Sequence, residues 1–184
     1  ALGGGLEIAM HCDALVASVV AADAKPWRIG LPEAGLGLCP GWGGTQMLPA
    51  RIDPDLAIRA TATGQTFKAT EIPDGLVDQM VSARDLMTAA FGWIRDHPGA
   101  EEDRLAHASP RSINESNRTA ITAGIESATP ALDESDAASA VLEAVSVGLA
   151  DGWNAAIEAE RRLLTGLRHT DAARSRLEAF LAKA

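Results

Sequence analysis

Three consecutive glycines, Gly3-Gly4-Gly5, lead directly into Leu6-Glu7-Ile8-Ala9-Met10-His11-Cys12. Glycine has no Cβ to block a close approach, and the first N–H groups of a helix point outward without intrahelical partners. A chain that places glycines there can stabilise negative charge, either a phosphate or an oxyanion that develops during a reaction. The same glycines also suit a tight strand-to-helix turn with no ligand. Glu7 is the one charged residue between Ala1 and Cys12, and Glu33 sits in similarly uncharged surroundings, Leu31-Pro32-Glu33-Ala34. Two carboxyls converging on one pocket can divide acid and base work if their environments separate their pKa values. Either carboxyl alone also fits an exposed or capping glutamate, and their separation along the chain decides nothing.

Other chemistries lack their residues. Gly35 and Gly37 would need a third glycine at position 40 for a dinucleotide fingerprint, and Pro40 stands there. No Lys-Ser/Thr pair closes that loop into a phosphate cradle. Ser18 has no G-x-S-x-G context. A glycosidase pair would leave the glycines without a role. His11 could act as a base or lie on a helix face beside the core, and Asp13 reads as a structural hydrogen-bonding residue. Trp42, between Gly41 and Gly43, fits either a pocket wall or ordinary packing. His11, His97, His107 and His169 show no ligand spacing, and Cys12 and Cys39 cannot make a four-cysteine site, so no metal is expected. The two cysteines read as buried free thiols in a reducing, cytoplasmic compartment.

The elements that must position these residues follow from pattern and punctuation. A short helix is expected over 4–12, strands over 14–17 and 27–29, a glycine-rich loop over 35–44 and a helix from Thr45 that stops before Pro49. Asp53-Pro54 reads as an N-cap with proline in the first turn of a helix that runs to Ala62 and ends near Gly64. Ile72 to Gly75 is a turn, 76–81 a strand and 83–96 a helix. A polar loop over 97–111 precedes helices over 112–127, 136–150, 153–168 and 171–183. Thr170 or Asp171 can cap the last of these, and Glu158 and Arg162, four apart, make a mild helix pair.

The 184 residues suit one core with a helical extension, and 36 of them are alanine, which favours close helix packing. The net charge of −9 argues against nucleic acid as a partner. No apolar run reaches the roughly 18 residues of a membrane span. The chain opens within a motif and reads as lacking an upstream segment.

Taken together, these residues resemble the enoyl-CoA hydratase/isomerase (crotonase) family. The similarity rests on Ala1-Leu2-Gly3-Gly4-Gly5-Leu6-Glu7, on Ile29-Gly30-Leu31-Pro32-Glu33, and on Gly37-Leu38-Cys39-Pro40-Gly41-Trp42-Gly43-Gly44-Thr45-Gln46. It continues at Thr63-Gly64 and Gly75-Leu76-Val77 and returns weakly at Glu160-Arg161-Arg162 and Ala179-Phe180-Leu181. The resemblance implies an α/β fold: a partial crotonase-type ββα-spiral core over 1–81 carrying the site, then a C-terminal helical, oligomerising region over 82–184. It implies an acyl-CoA substrate, with coenzyme A entering as part of that substrate and no separate cofactor. It implies hydration of a trans-2-enoyl-CoA to a 3-hydroxyacyl-CoA. Glu7 would activate water, Glu33 would deliver the α-proton, and Gly4 N–H, with Gly3 beside it, would donate to the thioester oxygen. Gly41 matches a loop position near Glu7, and Trp42 replaces a small residue and would narrow the acyl pocket. The alternatives are a Δ3,Δ2-enoyl-CoA isomerase, another crotonase-type enzyme, or a non-catalytic binding or oligomerisation module. A homotrimer or a dimer of trimers is expected. The second oxyanion donor is expected upstream, so the 184 residues alone are expected to be inactive, with the strand near 14–17 presenting an open edge.

Overall fold

The computed structural model describes residues 1–21, 23–98 and 111–182. Residues 99–110 of the loop expected over 97–111, with His107, and residue 183 at the end of the helix expected over 171–183 lie outside the described residues. Helix α1 spans Gly4–Met10, and Leu6 and Met10, four apart, bury one face completely. Strand β1 (Val16–Ser18) and strand β2 (Arg28–Gly30) follow. A 3₁₀ turn, Glu33–Leu36, leads to α2 (Gly44–Met47) and α3 (Pro54–Thr63). Asp53 caps α3 by accepting from the Leu56 amide at 2.9 Å, and Gly64 ends the helix in the left-handed region. Next come β3 (Thr66–Lys68) and β4 (Gln79–Val81), then a 3₁₀ turn that runs into α4 (Leu86–Asp96). The helical half is α5 (Arg118–Ala128), α6 (Asp136–Leu167) and α7 (Asp171–Leu181).

The strands form two small sheets. β1 pairs in parallel with β4, with Val16 opposite Gln79, and β2 pairs antiparallel with β3, with Ile29 opposite Phe67. β1 is paired on one side alone among the described residues, as its reading as an edge requires. Its other side borders an apolar cavity of about 370 Å³ lined by Leu6, Ala9, Val16, Trp27 and Ile29. One core joins Leu6, Met10, Ile29, Leu31, Met47 and Leu76. A second joins Cys39 and Ile58 to Ile121, Val141 and Leu167, so the helices close over α2 and α3.

Several expectations needed correction. β3 was not anticipated, because Thr66-Phe67-Lys68 is too short to alternate visibly. The strand expected over 76–81 is confined to 79–81, because Leu76 turns inward as a buried core residue. The helix expected from 112 starts at Arg118, because Asn114 and Asn117 fold 112–117 into side-chain-capped turns. Glu158 is not the partner of Arg162. Arg162 Nη2 donates instead to Glu143 Oε1 at 2.5 Å. Nineteen residues of unbroken helix would hold these two about 28 Å apart. The chain therefore reverses inside α6, at Gly152, whose φ of 82° and ψ of −174° suit glycine. Cys12 is exposed rather than buried, because it lies just beyond the end of α1; Cys39 is buried as expected.

Asp78 ties β1 to this framework. It accepts from the Leu15 amide at 2.7 Å and from Arg111, and it faces the fully buried Arg51 side chain at 3.8 Å. Asp78→Ala leaves the Arg51 charge uncompensated, and a loss of about 3 kcal/mol is expected in urea unfolding. Arg111 is part-exposed, so Arg111→Ala is expected to cost less than about 1 kcal/mol. Equal losses for the two variants would contradict this account of Asp78.

Candidate active site

The glycine turn is the floor of the site. Gly3 sits at φ 56°, and a Cβ placed there would lie 2.8 Å from Glu33 Oε1. A Cβ on Gly4 would lie 4.0 Å from Glu7 Oε2. The two carboxyls therefore lie beside adjacent residues of the Gly3-Gly4 pair, one carried by α1 and the other by the 3₁₀ turn after β2. The Gly3 amide is committed to Gly30 O at 2.9 Å, which ties the turn to β2. The Gly4 amide has no backbone acceptor among the described residues.

Glu7 is 2% exposed and points away from its own helix, into the loop before α2. Its Oε1 accepts from the Trp42 amide and from the Gly44 amide, both at 2.9 Å. Burial raises its pKa. The Gly44, Trp42 and Gly41 amides and the nearby His11 oppose that rise by favouring the ionised form. Glu33 is placed differently. Burial is again the largest influence; its own amide opposes the rise, its Oε2 has no partner, and Glu7 and Glu160 add like-charge repulsion, so its pKa is pushed up to about 7. Burial thus raises the pKa of both carboxyls; three loop amides oppose the rise at Glu7, and its own amide opposes it at Glu33.

The Gly41 amide lies close enough to Glu7 to favour its charge. Trp42 joins the site through its backbone. Its indole is 63% exposed and is not packed into the core. His11 ends α1 and is exposed; its Nε2 bonds to Trp42 O at 2.9 Å, and its ring meets Trp153 edge-on.

The sequence reading missed a third carboxyl. Glu160, on the second half of α6, is fully buried. It accepts from the Gly43 amide at 2.5 Å, the Thr45 amide at 3.0 Å and the Thr45 hydroxyl at 2.5 Å. Burial and the proximity of Glu7 outweigh these bonds, and its pKa is pushed up to about 7. Its neighbours Glu158, Arg161 and Arg162 suggest a solvated face. The available signal was spacing: Glu160 lies four residues after Ala156 and seven before Leu167, both buried. Among the described residues, no group of His, Cys, Asp and Glu could hold a metal ion.

Comparison with known proteins bears on the family and the fold. The enoyl-CoA hydratase/isomerase family model matches residues 1–123. A fatty acid oxidation complex subunit alpha from Idiomarina loihiensis is 34% identical over 99% of this chain, which covers 26% of that protein. A short-chain-enoyl-CoA hydratase from Clostridium acetobutylicum is 45% identical over 49% of this chain and 33% of its own length. The chain spans about a quarter of the length of the curated relatives that it matches end to end. Among solved structures, a carnitinyl-CoA dehydratase from Mycobacterium avium superposes with a TM-score of 0.55 at 24% identity, covering 98% of this chain and 57% of that one. An enoyl-CoA hydratase from the same species gives 0.51 at 25%, covering 90% and 59%. The α/β core with its C-terminal helices is therefore a crotonase-type fold.

The raised carboxyls set a pH dependence. Between about pH 4.5 and pH 7 the folded protein holds protons on Glu33 and Glu160 that the unfolded chain releases. More protons bound in the folded state means that stability falls as pH rises through this window. Denaturant unfolding at pH 5, 6, 7 and 8 is expected to show that fall, and Glu33→Gln to flatten it. An identical slope in the variant would refute the protonation assigned to Glu33.

Proposed function

The chain belongs to the enoyl-CoA hydratase/isomerase family, and from that premise we propose that it forms the catalytic part of a 2-enoyl-CoA hydratase. Water adds across the C2–C3 double bond of a trans-2-enoyl-CoA to give a 3-hydroxyacyl-CoA. The observation that carries this reading is the pair of buried carboxyls beside Gly3-Gly4, Glu7 bonded by loop amides and Glu33 with an unpartnered oxygen. Glu7, held by amides that favour its charge, takes a proton from the attacking water as the oxygen bonds to C3. Glu33, which keeps its proton to about pH 7, delivers that proton to C2. The thioester oxygen gains negative charge in between, and the Gly4 amide donates to it. Such a donor acts on charge that develops only on the way to the transition state, so it accelerates the step rather than merely tightening substrate binding. Coenzyme A is carried in with the substrate, and the reaction as written needs no further cofactor.

Both carboxyls favour the hydratase over the isomerase reading, in which one glutamate shuttling a proton suffices. Trp42, with its exposed indole, is assigned to narrowing the acyl pocket. The chemistry is assigned to residues 1–81 and assembly to 82–184, with Glu160 the exception that reaches back into the site. Exposed Phe180 and Leu181 on α7 suit burial between subunits of a trimer or a dimer of trimers. A cytoplasmic setting suits the two free thiols, and no helix among the described residues is long and apolar enough to cross a membrane. This reading assigns one oxyanion donor where two converge in such sites. The 184 residues assayed alone are therefore expected to hydrate crotonyl-CoA at least a hundredfold more slowly than the full-length protein.

The test is crotonyl-CoA hydration by the full-length protein. Glu7→Gln and Glu33→Gln are each expected to lower kcat by about 10² to 10⁴ while thioester binding persists. A variant that keeps its full rate would remove its residue from the chemistry. Turnover of a 3-enoyl-CoA with no hydration would transfer the assignment to the isomerase.

A further inference from the structure

Four successive amides, Trp42 to Thr45, are divided between two buried carboxyls that come from different parts of the chain. Trp42 and Gly44 donate to Glu7; Gly43 and Thr45 donate to Glu160. They run into α2, a four-residue helix whose first N–H groups have no intrahelical acceptors. A strip of backbone held from one side only can rotate about its own axis, which would turn the alternate amides away from Glu7. Bonds on the opposite side remove that freedom. A second anchor supports the Glu160 side: Gln46 Nε2 donates to Thr45 Oγ1 at 2.8 Å and to Ala144 O, on the first half of α6, at 2.9 Å.

We propose that Glu160 is a positioning residue: by holding the Gly43 and Thr45 amides from α6, it fixes the Trp42 and Gly44 amides on Glu7 and so sets the orientation of that carboxylate. Its kinetic consequence rests on the hydratase reading, while its structural consequence does not. The hairpin made by α6 then belongs to the site as well as to assembly, because a shift of its second half moves the Glu7 cradle. The titratable groups around Glu160 are Glu7 on α1, Glu33 in the 3₁₀ turn and the buried thiol of Cys39.

The experiment compares Glu160→Gln with the unaltered full-length protein by amide hydrogen exchange and by crotonyl-CoA kinetics. The Gln side chain presents an N–H₂ group to one of the donors that Glu160 accepts, so the strip loses an anchor while the volume is kept. The expected result is at least tenfold faster exchange at Trp42 and Gly44, which Glu160 does not touch. A kcat about 10- to 100-fold lower with KM within twofold should accompany it. Faster exchange confined to Gly43 and Thr45, with kcat unchanged, would reduce Glu160 to a helix cap and overturn the proposal. Glu160→Asp keeps the charge but draws the carboxylate back from the Gly43 and Thr45 amides by one methylene, and it carries the same test if the Gln variant does not fold: faster exchange at Trp42 and Gly44 supports the proposal, and unchanged exchange there overturns it. If the unaltered protein does not hydrate crotonyl-CoA, the hydratase reading fails, and exchange at Trp42 and Gly44 still decides whether Glu160 holds the cradle.

Discussion

A buried carboxylate must be given hydrogen bonds or give up its charge. This chain buries Glu7 almost completely and supplies the bonds from backbone amides of one loop. The rest of the architecture serves that placement. α1 carries Glu7 with Leu6 and Met10 locked into the core on either side. The glycine-rich loop brings its amides within reach because Gly43 and Gly44 leave room for the neighbouring side chains. α6 returns on itself at Gly152, and its second half brings Glu160 against the same strip.

Glu33 shows the other solution to the same constraint. With one oxygen unpartnered, two further carboxyls nearby and its own amide as the opposing donor, its pKa is pushed up to about 7. Two glutamates of the same chemistry thereby sit in different hydrogen-bonding surroundings. In the proposed reaction this difference is the division of labour between base and acid. The Gly3-Gly4 turn between them is where the thioester carbonyl would lie.

Much of this was legible in the sequence, for local reasons. Glycines before an isolated Glu7 in an apolar helix, the Asp53-Pro54 start and the Gly64 stop of α3, and the Thr170 cap of α7 are short-range signals. Each was recovered within a residue or two. That Glu7 and Glu33 both lie near the glycine turn was not readable from spacing, since it depends on β2 lying beside that turn. Glu160 escaped because charged neighbours on either side outweighed its place on the buried face of α6. The Arg162–Glu143 pair escaped for a related reason: sequence proximity favoured Glu158, and the reversal at Gly152 made a distant residue the nearer partner. β3 is too short to announce itself, and only its pairing with β2 defines it.

The central claim is that Glu7 and Glu33 ionise in order, Glu7 first, because three loop amides favour the charge of Glu7 while only its own amide favours that of Glu33. The direct measurement is a pH titration of the folded protein labelled with ¹³C at the glutamate side-chain carboxyls, with the two resonances assigned through Glu7→Gln and Glu33→Gln. The account predicts that Glu33 titrates near pH 7 and Glu7 at a lower pH. Both carboxyls titrating together near 4.5, or Glu7 holding its proton longer than Glu33, would contradict it.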